Sequence, residues 1–284
     1  MGELARPSVV AEILERHGLH PSRSLGQHFL VDGNMLRLLL DAAELSPRDT
    51  VLEIGPGLGT LTEELCARAG RVVAVEMDRR FAAILPEVLG APRNLLLVEG
   101  DALRLDLAHL FPSGERVKVV SNLPYNVATP LIIRLLLELP QAEVLVVTVQ
   151  RELADRYLAG PRGDAYGGVA VKVQTFCDMR RVCHLPPTVF FPPPRVDSCA
   201  LRMERKASDL APGETAPFFR FVDACFSFRR KMLVNALAGG REPYRPRSRV
   251  EEALRRLGLS PACRAEELSR DELLLLFRAL EGEG

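Results

Sequence analysis

Five short aliphatic runs recur between residues 49 and 150, each separated from the next by room for one helix. No other feature of the chain restricts its fold as much. The runs fall at 51–54, 72–75, 95–98, 117–120 and 144–149. Each is almost continuously apolar, as a strand becomes when helices cover both faces of its sheet. Parallel neighbours need a crossover, and a crossover of this length is a helix. The pattern therefore predicts a doubly wound, mostly parallel α/β sheet. Local signals agree: Thr60 and Glu63 have capping-box spacing, Gly70 can end that helix, and Thr129-Pro130 can open another.

After Arg151 the alternation lapses. Residues 179–185 and 197–203 read as two further strands, separated by Phe190-Phe191-Pro192-Pro193-Pro194 and close enough to pair antiparallel at the sheet edge. They bring the sheet to seven strands. The chain turns polar from 205 to 217, and helical periodicity follows at 218–226, 230–237, 250–257 and 266–280. The expected division is a sheet domain over 1–205, with 1–48 as an N-terminal lid, and a small helical domain over 206–284.

Composition serves mainly to exclude. With 47% hydrophobic and 26% charged residues, a disordered or collagen-like chain is ruled out. The six cysteines include no C-x-x-C pair, and Cys177, Cys183 and His184 lack a fourth ligand at sensible spacing. Reduced thiols are expected, with neither a disulfide frame nor a metal site. The longest apolar stretch, 131–139, is interrupted by Arg134 and Glu138, and residues 1–17 mix charged and apolar side chains. A membrane span and a signal peptide are not expected, and a cytoplasmic location is.

Three elements end successive strands. Glu53-Ile54-Gly55-Pro56-Gly57-Leu58-Gly59-Thr60 runs a strand through glycines into a helix, with G-x-G-x-G spacing rather than the G-x-G-x-x-G of dinucleotide folds. Glycines admit a ligand where a Cβ would collide, and a helix N-terminus offers free amides. Glu76, after the second strand, can accept from ribose hydroxyls, and Asp101, after the third, can accept from an adenine amine. Ligands of open α/β sheets bind at carboxyl strand ends, so the trio points to an adenosine-containing cofactor. These residues alone leave NAD and S-adenosylmethionine both open.

The fourth strand runs into Asn122-Leu123-Pro124-Tyr125. The exocyclic amine of adenine is a poor nucleophile because its lone pair is delocalised into the ring. The Asn122 side-chain oxygen and the Leu123 carbonyl can both accept from that amine, which localises the lone pair. Pro124 shapes the turn, and Tyr125 offers a ring on which an extruded base can stack. This favours methyl transfer by orientation and charge placement. A nicotinamide dehydrogenase would need a hydride-handling His or Tyr–Lys pair near the strand ends, and none is evident.

Taken with Gly26-Gln27-His28-Phe29-Leu30 and Phe191-Pro192-Pro193-Pro194-Arg195-Val196-Asp197-Ser198, these motifs give a chain that resembles the ribosomal RNA adenine dimethyltransferases of the bacterial small-subunit type. The resemblance covers nearly the whole length. It implies a Rossmann-like class I methyltransferase fold and S-adenosylmethionine as methyl donor. The substrate it implies is a pair of adjacent adenosines in a hairpin near the 3′ end of 16S rRNA, met in an immature small subunit. By position it makes His28, Leu30, Gly55, Glu76, Asp101 and Asn122 cofactor contacts, although the family often has Asn where this chain has His28. Phe190 matches the family's second base-stacking residue, with Phe191 as the alternative. A large-subunit rRNA dimethyltransferase of the antibiotic-resistance type shares the sheet motifs, and a mainly non-catalytic assembly factor is the other reading. A monomer without an obligate protein partner is expected.

The RNA grip is expected in the tail. Basic and acidic residues balance at 37 each over the chain, yet from Arg220 to Arg249 eight basic residues face two acidic ones. Arg229, Arg230, Lys231, Arg245 and Arg247 are the candidate phosphate contacts.

Overall fold

The computed structural model describes residues 2–22, 25–228, 231–239 and 244–281. The chain forms two compact units, one of residues 1–154 with 178–205, the other of 155–177 with 206–284.

The first unit carries the sheet. Helices α1 (Pro7–Arg16) and α2 (Gly33–Ala43) flank a short strand β1 (Phe29–Leu30). Then come β2 (Thr50–Ile54), α3 (Thr60–Arg68), β3 (Arg71–Glu76), α4 (Arg79–Val88), β4 (Leu95–Glu99), β5 (Val117–Asn122), α5 (Ala128–Glu138) and β6 (Ala142–Gln150). All five predicted strands are present within a few residues. Helix α6 (Arg151–Leu158) and helix α7 (Gly168–Gln174) precede β7 (Cys177–Leu185), the two-residue β8 (Phe190–Phe191) and β9 (Ser198–Arg205).

The seven-stranded order is β4-β3-β2-β5-β6-β9-β7. Strands β2 to β6 pair in parallel, and β9 runs antiparallel to β6. The two late strands thus close one edge, as their proximity in sequence suggested. From β2 the chain winds outward through β3 and β4, then returns to place β5 on the other side of β2. The carboxyl ends of β2 and β5 therefore flank the switch point where such sheets bind ligands. Strands β2, β3, β5 and β6 are largely buried on both faces, whereas the edge strand β4 is half exposed; on one face Val51, Val72, Val120 and Val146 join Leu36, Leu39 and Leu40 of α2 in one buried cluster. Helix α2 starts where Asp32 accepts from the amides of Asn34 and Met35 at 2.9 and 3.0 Å.

Sequence alone did not reveal a second, two-stranded sheet. Strand β1 pairs antiparallel with β8, Leu30 opposite Phe190 and Phe29 opposite Phe191. Val31 extends this link by donating its amide to the Val189 carbonyl at 2.8 Å.

The second unit is helical: α8 (Thr215–Phe226), α9 (Leu233–Ala238), α10 (Arg247–Arg256) and α11 (Arg270–Glu281). Its core gathers Phe218, Phe221 and Phe277 with ring centroids 5.5–6.4 Å apart, the first two stacked and Phe277 set at an angle to both. Residues 155–177, read from sequence as part of the sheet domain, belong here instead. Tyr166, Ala170 and Val171 are buried in the cluster that holds Phe218, Phe221 and Leu273, and apolar burial rather than chain order sets the division.

Candidate active site

Strand β2 ends at Ile54, and the chain turns through Gly55, Gly57 and Gly59 with φ of +73°, +57° and +87°. Side chains are disfavoured in that region. At Gly57 space matters as well, because a Cβ would meet the Phe29 ring at 2.6 Å. The predicted capping box does not form. Gly59 occupies the N-cap position, Thr60 is already helical, and no side chain caps α3. The reason is that left-handed Gly59 turns the chain into the helix one residue early, and its carbonyl takes the Glu63 amide at 2.9 Å. The first amides of α3 stay uncapped beside a cavity lined by Thr60 and Leu61.

That cavity, of about 290 Å³, collects residues from five segments. Gly26 to Leu30 come from the N-terminal stretch, Glu53 to Gly57 from the glycine turn, and Glu76 and Met77 from the end of β3. Asp101 follows β4, Asn122 ends β5, and Pro124 and Asn126 come just after it. All six expected cofactor contacts, His28, Leu30, Gly55, Glu76, Asp101 and Asn122, thus line one space.

Glu76 is 5% exposed. Its carboxylate accepts from the Gly57 amide at 2.9 Å and the Asp78 amide at 2.8 Å. Burial pushes this carboxyl above its ordinary value, while those amides pull it down. Glu53, beneath the turn, is driven further, up to about 8, by burial and secondarily by the Glu76 charge. The Asp101 carboxylate takes the Leu103 amide at 2.9 Å. Its loop is fastened by Arg134, which donates to the carbonyls of Ala102 and Leu105, each at 2.7 Å.

Asn122 is bonded at both ends of its carboxamide. Its Nδ2 donates to the His28 carbonyl at 2.7 Å, and its Oδ1 accepts from the Thr148 hydroxyl. The His28 ring donates from Nδ1 to the Pro192 carbonyl at 2.7 Å and stacks on Tyr125, with centroids 5.6 Å apart. The Tyr125 hydroxyl bonds Ser198 Oγ. Gln27 ties the same N-terminal segment to Asp78 at 3.1 Å.

Leu123, Tyr125 and Phe190 are not among the lining residues. Leu123 is 1% exposed, and Phe190, 3% exposed, packs with Leu36 and Leu39 in the core. Phe191, its neighbour on β8, is half-buried. Of the candidate phosphate contacts, Arg229 and Arg230 lie outside the described residues. Lys231 rests 4.2 Å over the Phe228 ring, Arg245 pairs with Glu281 at 2.6 Å, and Arg247 pairs with Glu251 at 2.8 Å. Among the described residues no cluster of His, Cys, Asp or Glu could hold a metal ion. Nor, among the described residues, is any helix long and apolar enough to cross a membrane.

Sequence reasoning missed Thr148 and Arg134. In the sequence Thr148 is one more β-branched residue in an aliphatic run, and Arg134 merely an interruption of one. Only strand register and helix packing reveal what they bond.

Comparison with known proteins follows the same lines. A family model described as ribosomal RNA adenine dimethylase matches residues 19–281. A ribosomal RNA small subunit methyltransferase A from Pelotomaculum thermopropionicum is 43% identical, over 95% of this chain and 94% of that protein. The protein of the same name from Moorella thermoacetica is 42% identical over 99% of this chain and all of its own length. Among solved structures, a dimethyladenosine transferase from Plasmodium falciparum superposes with a TM-score of 0.71 at 26% identity, covering 88% of this chain and 96% of that one. The 23S rRNA methyltransferase ErmE does so with a TM-score of 0.67 at 30% identity, covering 89% and 99%. With motifs, sheet order and full-length likeness in agreement, the chain belongs to the ribosomal RNA adenine dimethylase family.

Proposed function

We propose that this protein dimethylates the exocyclic amines of two adjacent adenosines near the 3′ end of 16S rRNA, using S-adenosylmethionine, during small-subunit assembly in the cytoplasm. The observation that carries the reading is the placement of the Asn122 carboxamide on the wall of the cavity that also presents Glu76 and Asp101.

The residues present fit that cofactor. Gly57 leaves no room for a side chain, the α3 amides are uncapped, and Glu76 retains lone pairs after accepting two amides. Glu76 would hold ribose hydroxyls, Asp101 the adenine amine, and the glycine turn with the first amides of α3 the remaining polar end. When bound, S-adenosylmethionine supplies an electrophilic methyl group on a sulfonium.

The chain's own part is to orient the nucleophile. The free lone pair of Asn122 Oδ1 and the Leu123 carbonyl accept from the target amine, draw its protons out of the plane of the base, and so localise its lone pair on nitrogen and raise its nucleophilicity. Tyr125, held by Ser198 and braced by His28, presents an aromatic face for the extruded base. Phe190 acts from the core, setting the position of β8. No covalent enzyme intermediate is required.

The helical unit would grip phosphates through Arg229, Arg230, Lys231, Arg245 and Arg247. The ion pair of Arg247 with Glu251 sits at the surface, where such pairs contribute at most about 1 kcal/mol and exchange readily for a phosphate, whereas Arg245 is held also by the carbonyls of Tyr244 and Leu280. We expect a monomer to suffice.

Incubating the protein with labelled S-adenosylmethionine and separate 16S and 23S rRNA, then digesting and weighing the fragments, tests the assignment. Dimethyladenosine in the 3′ fragment of 16S is the expected product. Label confined to 23S would instead assign the large-subunit reaction, and a protein that binds immature small subunits yet leaves both RNAs unmodified would assign a non-catalytic assembly role.

A further inference from the structure

Strand β6 is aliphatic from Val144 to Val147 and again at Val149, yet Thr148 between them is fully buried and carries a hydroxyl. Burying a hydroxyl costs free energy unless it is bonded, and valine would fill the same volume without that cost. The sheet register explains the exception. Thr148 lies directly beside Asn122 in the parallel β5–β6 pair, so the two side chains share a face. The Thr148 hydroxyl is spent on Asn122 Oδ1.

We propose that Thr148 is a positioning residue for methyl transfer, holding the Asn122 carboxamide with one oxygen lone pair filled and the other aimed at the target amine. The inference rests on the function proposed above and adds to it the device that aims its key side chain. A carboxamide has two ends of nearly equal size, and only the oxygen end can accept from an amine. The His28 carbonyl is acceptor-only, so its bond to Nδ2 decides which end is which. It leaves rotation about the last side-chain bond only loosely set, because that torsion has a broad minimum. A second bond, from Thr148 to Oδ1, fixes the plane. The trigonal oxygen has two in-plane lone pairs, and the one left open then has a single direction. Oδ1 meets its partner without reorganising, which is where a polar group contributes most to a transition state.

Thr148→Val and Thr148→Ser separate this role from packing. Thr148→Val keeps the shape and removes the hydroxyl, while Thr148→Ser keeps the hydroxyl. Thr148→Val is expected to lower the single-turnover methylation rate on a 16S hairpin by about tenfold, the worth of one hydrogen bond. Its dissociation constant for S-adenosylmethionine should stay within about twofold of wild type, and Thr148→Ser should recover most of the rate. A readout independent of turnover is the side-chain NH₂ signal of Asn122 in ¹⁵N-labelled protein without cofactor. That signal should move and broaden in Thr148→Val but not in Thr148→Ser.

If Thr148→Val turns over at the wild-type rate with an unmoved Asn122 signal while Asn122→Ala is severely impaired, the positioning role is wrong and the proposed site survives. If Asn122→Ala itself retains the wild-type rate, both fail. Equal loss of cofactor binding and thermal stability in both Thr148 variants would reduce the residue to a packing role and overturn the inference.

Discussion

The two units hold their polar side chains in different ways. In the sheet unit, side chains around the cavity are bonded largely to the main chain: Glu76 to the amides of Gly57 and Asp78, Asp101 to that of Leu103, Asn122 to the His28 carbonyl. In the helical unit, many surface charges are bonded to other side chains, several one helical turn away, as in Arg247–Glu251, Arg255–Glu251 and Arg256–Glu252. Main-chain partners are fixed by the fold, so the groups they hold are aimed before any ligand arrives. Side-chain partners are flexible and solvated, so such pairs can be traded for a phosphate. On the proposed function, one unit supplies direction and the other adaptable attraction.

The contrast breaks most visibly at Asn122. Asn122→Ala should cut the single-turnover methylation rate by about 10²–10³-fold, the scale on which a pre-aimed partner acts. Calorimetric titration should find cofactor affinity changed only a few-fold, and a comparable loss in both quantities would mean that Asn122 mainly holds the cofactor. Glu76→Ala should do the reverse, weakening S-adenosylmethionine binding by about 10–100-fold, the worth of one hydrogen bond to a charged group. Equilibrium titration checks it, with RNA affinity left in place.

In the helical unit, charge reversal at Lys231, Arg245 and Arg247 should weaken RNA binding by about tenfold near physiological salt. It should also flatten the plot of log affinity against log salt by about one unit for each phosphate no longer gripped. Filter binding over a salt series reads both, and an unchanged slope would place the RNA grip elsewhere.

The smallest effect concerns Glu53. Its folded carboxyl titrates near 8, well above the ordinary 4.5. The folded state therefore holds a proton that the unfolded chain releases. The stability this gives is complete below about pH 4.5 and is lost as pH rises through about 8. Glu53→Gln has no such proton to lose. The melting temperature of the variant relative to wild type should rise by a few degrees between pH 5 and pH 8, read by thermal scans at matched ionic strength. A constant difference would mean that Glu53 is ionised in the folded protein.

The legible parts of the sequence were those whose signal is local. Continuous aliphatic runs identified β2 to β6, and the glycine turn, Glu76, Asp101 and Asn122 fell at strand ends where the sheet gathers them. What was not legible depends on partners distant in sequence. Thr60 looked like a cap, but Gly59 takes that place because its left-handed conformation starts the helix earlier. Residues 155–177 carry no mark of belonging to the second unit until Tyr166 and Val171 are seen against Phe218. Thr148 reads as valine until the register sets it beside Asn122. The basic excess of the tail was legible, whereas the pairing of Arg245 and Arg247 with Glu281 and Glu251 was not.

The β1–β8 ladder has a consequence for synthesis. It joins a wall segment made early, Phe29 and Leu30, to a strand made much later, Phe190 and Phe191. A nascent chain released as far as Gln150 already contains the glycine turn, both acids and Asn122. It still lacks the strand that pins Phe29 and Leu30, and β9, which covers the outer edge of β6. Birth order and wall order therefore differ, and the ladder that fastens this wall of the cavity forms only after the chain has been made past Phe191.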